Sequence, residues 1–456
     1  MRPLSRRAFL RAGAAAGALA AAPLSPFEAL AAGAGPTALG PPGFGPLAPT
    51  PDETTGAALL ELPAGFRLVS GAWTGDPMED GETAPDRPDG IGCFRARRGR
   101  LVLVRNHERS AGAPLSARAP LYDAQAGGGT THVVFDPRAG RFGAAWASLA
   151  GTLRNCAGGI APWGSWVSCE ETTDGPGNGA LLREHGFCFE VPAHGRASAQ
   201  PLRAMGRFAH EAVAFEADGS AAYLTEDAGA SGLYRFLPNA RGRLDAGRLQ
   251  MLALRDAPAA DTARGVPAGV PLDVDWVDID LPDPPGDRNA VAASAVYLQG
   301  RARGGARFVR GEGIWRVRGR FLFTATAGGA AGLGQVFELD PRAQTLRLVY
   351  ESASAADLES PDNVTASPGG GAVLCEDGAG SDRLLGLTRG GDLFALARGN
   401  AVLAGERGFA GDFRSSELTG ACFAPPVRGA ARWLFVNLQE PGITCAIAGP
   451  WRRGGL

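Results

Sequence analysis

Acidic side chains recur in this sequence at the ends of apolar, strand-like runs, and in one run a thiol precedes them. Trp163 to Glu171 reads Trp-Gly-Ser-Trp-Val-Ser-Cys-Glu-Glu. Tryptophan, valine and alternating serine suit a pleated strand. Three adjacent anionic ligands (Cys169, Glu170 and Glu171) suit cation binding, because like charges at a strand end repel unless a cation answers them. A single such run is an ordinary acidic surface turn. Its repetition along the chain gives it another meaning.

Six second-strand phrases share this form. They end at Asn106-His107-Glu108, Cys169-Glu170-Glu171, Thr225-Glu226-Asp227, Thr324-Ala325-Thr326, Cys375-Glu376-Asp377 and Asn437-Leu438-Gln439-Glu440. The fourth copy carries no acid. Each is preceded by a phrase that opens on polar residues and turns apolar or small. These begin at Asp89, Asn155-Cys156, His210-Glu211, Arg310-Gly311-Glu312, Asp362-Asn363 and Glu417. The interval within each pair is a hairpin distance. Further apolar strands follow most pairs. Six units of about four strands predict an all-β, six-bladed β-propeller with an irregular insertion near residues 255–310. The alternating acids from Asp273 to Asp280 inside that insertion read as a solvated strand edge.

In a propeller the first strand of each blade lines the channel and the second returns to the same rim. About a dozen carboxylates then meet at one mouth, at a cost of several kcal/mol for each close pair unless cations bind. Oxygen ligands select hard ions such as Ca²⁺, Mg²⁺ or Fe³⁺, and a lone thiolate points to a transition metal. A mixed site, with iron near Cys169 and calcium elsewhere, fits this set; a purely structural calcium cluster is the other reading. Five histidines in the chain argue against an ordinary zinc site.

The bulk properties narrow the class further. The 456 residues carry a formal net charge of −2, so no basic field addresses nucleic acid or an anionic membrane. The 45 basic residues are all arginine, which removes lysine-based Schiff-base or P-loop chemistry. Ser5-Arg6-Arg7 before an alanine-rich run that ends at Ala29-Leu30-Ala31 predicts a twin-arginine export signal over residues 1–31. A Gly/Pro-rich linker is expected over 32–58, and the propeller over 59–456. The exported protein is expected in the periplasm or outside the cell, as a monomer with no stable membrane insertion. The export machinery is the partner that this leader implies. Seven cysteines without a C-x-x-C pair leave at least one unpaired.

Together these phrases resemble the PhoX-type alkaline phosphatases. The match rests on Asn106-His107-Glu108, the Trp163–Glu171 run, Arg207-Phe208-Ala209-His210-Glu211, Arg310-Gly311-Glu312, Ser360-Pro361-Asp362-Asn363 with Cys375-Glu376-Asp377, and Ser416-Glu417-Leu418-Thr419 with Asn437 to Gly442. The resemblance implies a six-bladed propeller that cleaves phosphomonoesters at a cluster of ferric and calcium ions. By the same resemblance Cys169 would hold iron, with Glu171, Glu211, Glu312 and Asp377 among its other ligands. Glu108, Glu170, Asp362 and Glu376 would serve calcium or bridge. Arg310 would clamp phosphate beside Glu312, since a guanidinium fork matches phosphoryl oxygens. A calcium-dependent propeller lactonase or esterase, or a non-catalytic calcium-stabilised binding propeller, needs neither the thiolate nor the clamp. The chain looks shorter than well-known members of the family, which leaves its substrate open.

Overall fold

A computed structural model describes residues 43–177, 180–286, 292–388, 392–451 and 456. The expected export signal lies outside them. Among the described residues the architecture is all-β and propeller-like, with one α-helix, Ala295–Ala302.

Each sequence repeat begins with an inner strand. These are Pro88–Arg95, Asn155–Ile160, His210–Phe215, Gly311–Val317, Pro361–Ala366 and Leu418–Phe423. Each pairs antiparallel with a second strand: Leu101–His107, Ser165–Glu170, Ala222–Glu226, Arg320–Ala325, Ala372–Glu376 and Trp433–Leu438. The inner strands pack neighbour to neighbour in a closed ring, the last against the first. Glycine permits this close approach. A Cβ on Gly159 would lie 1.7 Å from the Val213 carbonyl oxygen, and one on Gly313 would lie 2.7 Å from the Val364 nitrogen.

Apolar runs such as Leu101-Val102-Leu103-Val104 are buried on both faces because each sheet is sandwiched between two others. Cys93, Leu103 and Val133 pack against Phe435 and Ala446, while Phe94 and Val102 pack against Trp166 and Phe189. The ring is closed by a strand from the beginning of the chain, Arg67–Gly71, which pairs with Ile443–Ala448 near its end. Opening that seam would expose apolar surface on both sides, at ~25 cal/mol per Å².

Three expectations need correction. The sheets are not six separate blades. The described residues form five sheets of three or more strands, because Leu272–Asp278 bridges the third and fourth repeats into one nine-stranded sheet. That bridge is also the acid-alternating segment of the insertion. Its acids face solvent, Asp273 and Asp275 paired with Arg255 and Asp278 with Arg248, but it is hydrogen-bonded on both sides and is no edge. Finally, the linker reading of 32–58 fails over its second half. Leu47–Thr50 pairs with Leu60–Pro63, and Phe44 packs edge-on against Phe66, Phe394 and Trp451.

Candidate metal centre

The site is built by one device repeated around the ring. At the mouth, the backbone N–H of the residue after each second strand donates to the carbonyl of a residue just before the paired inner strand. The donors Glu108, Glu171, Asp227, Thr326, Asp377 and Gln439 reach Arg87, Arg154, Ala209, Arg310, Ser360 and Glu417 in turn. Arg87, Arg154, Arg310 and Ser360 hold left-handed backbone, with φ between 46° and 51°. Non-glycine residues take that conformation rarely, and its recurrence at one position marks a shared turn. Each inner strand then carries a bulge near its start. A bulge re-aims a side chain without ending the strand. Here the second residue of five inner strands is Asp89, Cys156, Glu211, Glu312 and Asp362; the sixth strand, Leu418–Phe423, offers Thr419 there, with Glu417 just before it.

Ligand atoms of Cys156, Glu171 and Glu211 lie within 4.8 Å of one another, as do those of Glu211, Glu312 and Asp362. Glu211 belongs to both groups, so the two are contiguous. The Cys156 thiol donates to Glu211 Oε1 at 3.3 Å, while Glu211 Oε2 is buried with no hydrogen-bond partner. Asp362 is in hydrogen-bond contact with Glu417 and Glu312, and Glu171 with Asp227. Burial is the first cause that pushes Asp89, Glu171, Glu211, Glu312 and Glu417 well above the usual carboxylate range; neighbouring carboxylates push each further. Asp362 is pushed up to about 6 by the same burial, and the Cys156 thiol is raised as well. Two full charges at such separations repel by about 3–4 kcal/mol at an effective dielectric near 20. An orphaned buried oxygen, a thiol and several carboxylates that resist ionisation together fit a multivalent cation site.

Arginines stand around this cluster. Arg310 Nε and Nη2 bind the Asp227 carboxylate at 2.9 and 3.0 Å, and Nη2 is 2.8 Å from Glu312 Oε1. Arg154 reaches Glu171 at 2.8 Å and Glu108 at 3.4 Å. Arg87 joins Glu108, Gln439 and Glu440. All three guanidiniums are partly exposed, so an anion entering from solvent meets them first.

The predicted residues divide in two. Glu171, Glu211, Glu312 and Asp362 come together. Glu108 sits on the rim, hydrogen-bonded to Gln439 Nε2 at 3.0 Å, and Asp377 is exposed at the mouth, close enough to raise Asp362. Cys169, Glu170 and Glu376 are drawn away. Glu170 accepts from the backbone N–H groups of Leu153, Gly186 and Phe187, and its Oε1 is 2.6 Å from His185 Nδ1. Glu376 is held by Arg383 at 2.6 and 2.7 Å and by Glu359 N–H. The Cys169 thiol faces Cys188 in an apolar cluster. The thiol beside the carboxylates belongs to Cys156. Its signal was present in the sequence, since Cys156 occupies the inner-strand position of Asp89, Glu211, Glu312 and Asp362. The adjacent acids after Cys169 outweighed it.

The family model for alkaline phosphatase PhoX matches residues 42–145 and 138–442. The chain belongs to the PhoX alkaline phosphatase family. Membership makes this PhoX protein a phosphomonoesterase of a metal-dependent family, to which the acidic cluster conforms. Among solved structures, Pseudomonas fluorescens PhoX in complex with vanadate, a transition state analogue, is similar at 16% identity and a TM-score of 0.63, covering 90% of this chain and 98% of that one. A gluconolactonase from Xanthomonas campestris aligns at 13% identity and a TM-score of 0.43, over 89% of this chain and 98% of its own. No protein of curated function matches in sequence.

Proposed function

We propose that this chain is an exported phosphomonoesterase whose reaction centre is the cluster of Cys156, Glu171, Glu211, Glu312 and Asp362. The observation that carries the proposal is this pair of contiguous ligand groups at the mouth of the ring. Thiol and carboxylates on the Cys156 side suit ferric iron, and the all-oxygen Glu211–Glu312–Asp362 side suits Ca²⁺. Bound there, such ions screen phosphate charge and polarise the P–O bond. By inner strands the propeller counts as six-bladed, with two blades joined by Leu272–Asp278.

The side chains supply the rest. Arg310 stays charged, because Asp227 and Glu312 hold its pKa above the ordinary arginine value despite partial burial. Its fork can turn from Asp227 toward the oxygens of an incoming phosphate and stabilise the charge that develops on them. Arg154, held the same way by Glu171 and Glu108, offers a second cation across the cluster. Asp89 and Gln439 close the remaining side of the mouth through a 2.9 Å hydrogen bond.

The test pairs metal analysis with hydrolysis of p-nitrophenyl phosphate, before and after EDTA. Activity that falls with iron and calcium and returns when both are restored supports the reading; an iron-free preparation that stays inactive with both ions added overturns it. Export by the twin-arginine route rests on Arg6-Arg7. Replacing both with lysine should retain the protein in the cytoplasm, and unchanged export would remove that part of the proposal.

A further inference from the structure

Away from the acidic cluster, two thiols are set against each other. Cys169 is the penultimate residue of the strand Ser165–Glu170 and Cys188 begins the next, Cys188–Pro192, and the two are directly paired in register. The adjacent pair, Glu170 and Phe187, exchanges a backbone hydrogen bond of 3.1 Å. Pairs alternate along an antiparallel ladder, so Cys169 and Cys188 form a non-hydrogen-bonded pair. Such pairs bring Cα atoms to about 4.5 Å, inside the range a disulfide spans. Their Sγ atoms lie 3.6 Å apart.

A proton acceptor stands beside them. His210 Nδ1 is 3.4 Å from Cys188 Sγ. Its other nitrogen, Nε2, is 3.0 Å from the Gly206 carbonyl oxygen, which can only accept, so the proton sits on Nε2 and Nδ1 presents its lone pair to the thiol. Phe208 lies over the imidazole at 3.7 Å between ring centroids and holds its orientation. The row Cys169–Cys188–His210 is wholly buried. The phosphatase chemistry makes no use of it.

We infer that Cys169 and Cys188 are a disulfide-forming pair, oxidised by a small peroxide, that ties the strand ending at Glu170, just before Glu171, to the next strand. In the first step the Cys188 thiol gives its proton to His210 Nδ1 and its sulfur attacks one peroxide oxygen. The O–O bond breaks, the departing hydroxide takes that proton back from His210 and leaves as water, and Cys188 becomes a sulfenic acid. In the second step the Cys169 sulfur attacks the Cys188 sulfur, the S–O bond breaks, and the Cys169 thiol proton joins the departing hydroxyl, which leaves as a second water. Two electrons pass from the thiols to the peroxide. A water-sized oxidant is required because both sulfurs are shielded from solvent. The bond locks Glu170 to the backbone of Gly186 and Phe187, which supplies two of its three N–H groups, and so sets the entry of Glu171 into the acidic cluster. The inference does not depend on which metals the cluster holds.

The full chain is treated with hydrogen peroxide in excess, unfolded in denaturant with an alkylating reagent, digested and weighed. The expected product is a peptide pair joined through Cys169 and Cys188, about 2 Da lighter than the sum of the reduced peptides, which reductant separates. Alkylation then marks every cysteine except these two. In Cys169→Ser, Cys188 should instead accumulate as a sulfenic acid that dimedone traps. Since that variant could fail to fold, the wild-type peptide map stands by itself. Both thiols alkylated after peroxide, or each over-oxidised separately without a joined peptide, would overturn the inference.

Discussion

Each acidic pair at the end of a second strand has two members with opposite fates. In Glu170-Glu171, Glu226-Asp227 and Glu376-Asp377 the first residue is fully buried and spent on the scaffold. Glu170 takes three backbone N–H groups and His185, Glu226 takes Gly232 N–H and Tyr234 O–H, and Glu376 takes Arg383 and Glu359 N–H. The second residue is less buried and turns to the mouth, where Glu171 and Asp227 meet Arg154 and Arg310. Successive side chains point to opposite sides of an extended chain, so two adjacent carboxylates cannot do the same work. An acid-rich strand end is therefore half anchor and half ligand, and alternation decides which half is which.

Exchanging one member at a time separates the two roles. The largest loss is expected for Glu211→Gln, which alters the ligand shared by both groups: phosphatase activity should fall by about 100-fold or more, with bound metal lost in the same preparation. Activity within a fewfold of wild type would place the chemistry elsewhere. Glu171→Gln should also cost activity and metal, yet leave the melting temperature of the metal-free protein unchanged or raised, because one source of repulsion is gone. Glu170→Gln should do the reverse. Its carboxylate is replaced where three N–H groups and an imidazole converge, so stability should drop by roughly 2–4 kcal/mol in denaturant titration. A Glu170→Gln protein as stable as wild type would break the comparison.

A smaller effect follows from pH. Asp362 titrates near 6 in the fold, above its unfolded range near 4, and burial drives Glu211 and Glu312 upward too. Between those values the folded state binds more protons than the unfolded one. Stability of the metal-free chain therefore falls as pH rises from about 4 through 6 and stays low above, by roughly 2–3 kcal/mol for one such group. Added Ca²⁺ should flatten that slope. A metal-free chain that gains stability over the same interval would contradict the assignment of these acids to one cluster.

The sequence made the repeat legible. Six paired phrases announced the inner and second strands, and the two ends that meet at the mouth, the inner-strand start with Glu211, Glu312 and Asp362 and the second-strand end with Glu171, were both marked in them. Two features were not legible. The first was which residue of each phrase faces the channel. A bulge near each inner-strand start sets that, and a bulge leaves no mark in composition. Cys156 holds the bulged inner-strand position, whereas Cys169 pairs with Cys188 across the ladder. The second was the number of sheets. Acids alternate along Leu272–Asp278, but alternation reports one solvated face and says nothing about pairing on either side.

The central claim is that the bulged inner strands, through Cys156, supply the thiol of the metal cluster. The most direct test is iron content and visible absorption of the wild-type, Cys156→Ser and Cys169→Ser proteins, purified side by side. A ferric–thiolate site absorbs visible light through sulfur-to-iron charge transfer. The account predicts that Cys156→Ser loses that band and much of its iron, while Cys169→Ser keeps both. Loss in Cys169→Ser with retention in Cys156→Ser would contradict it.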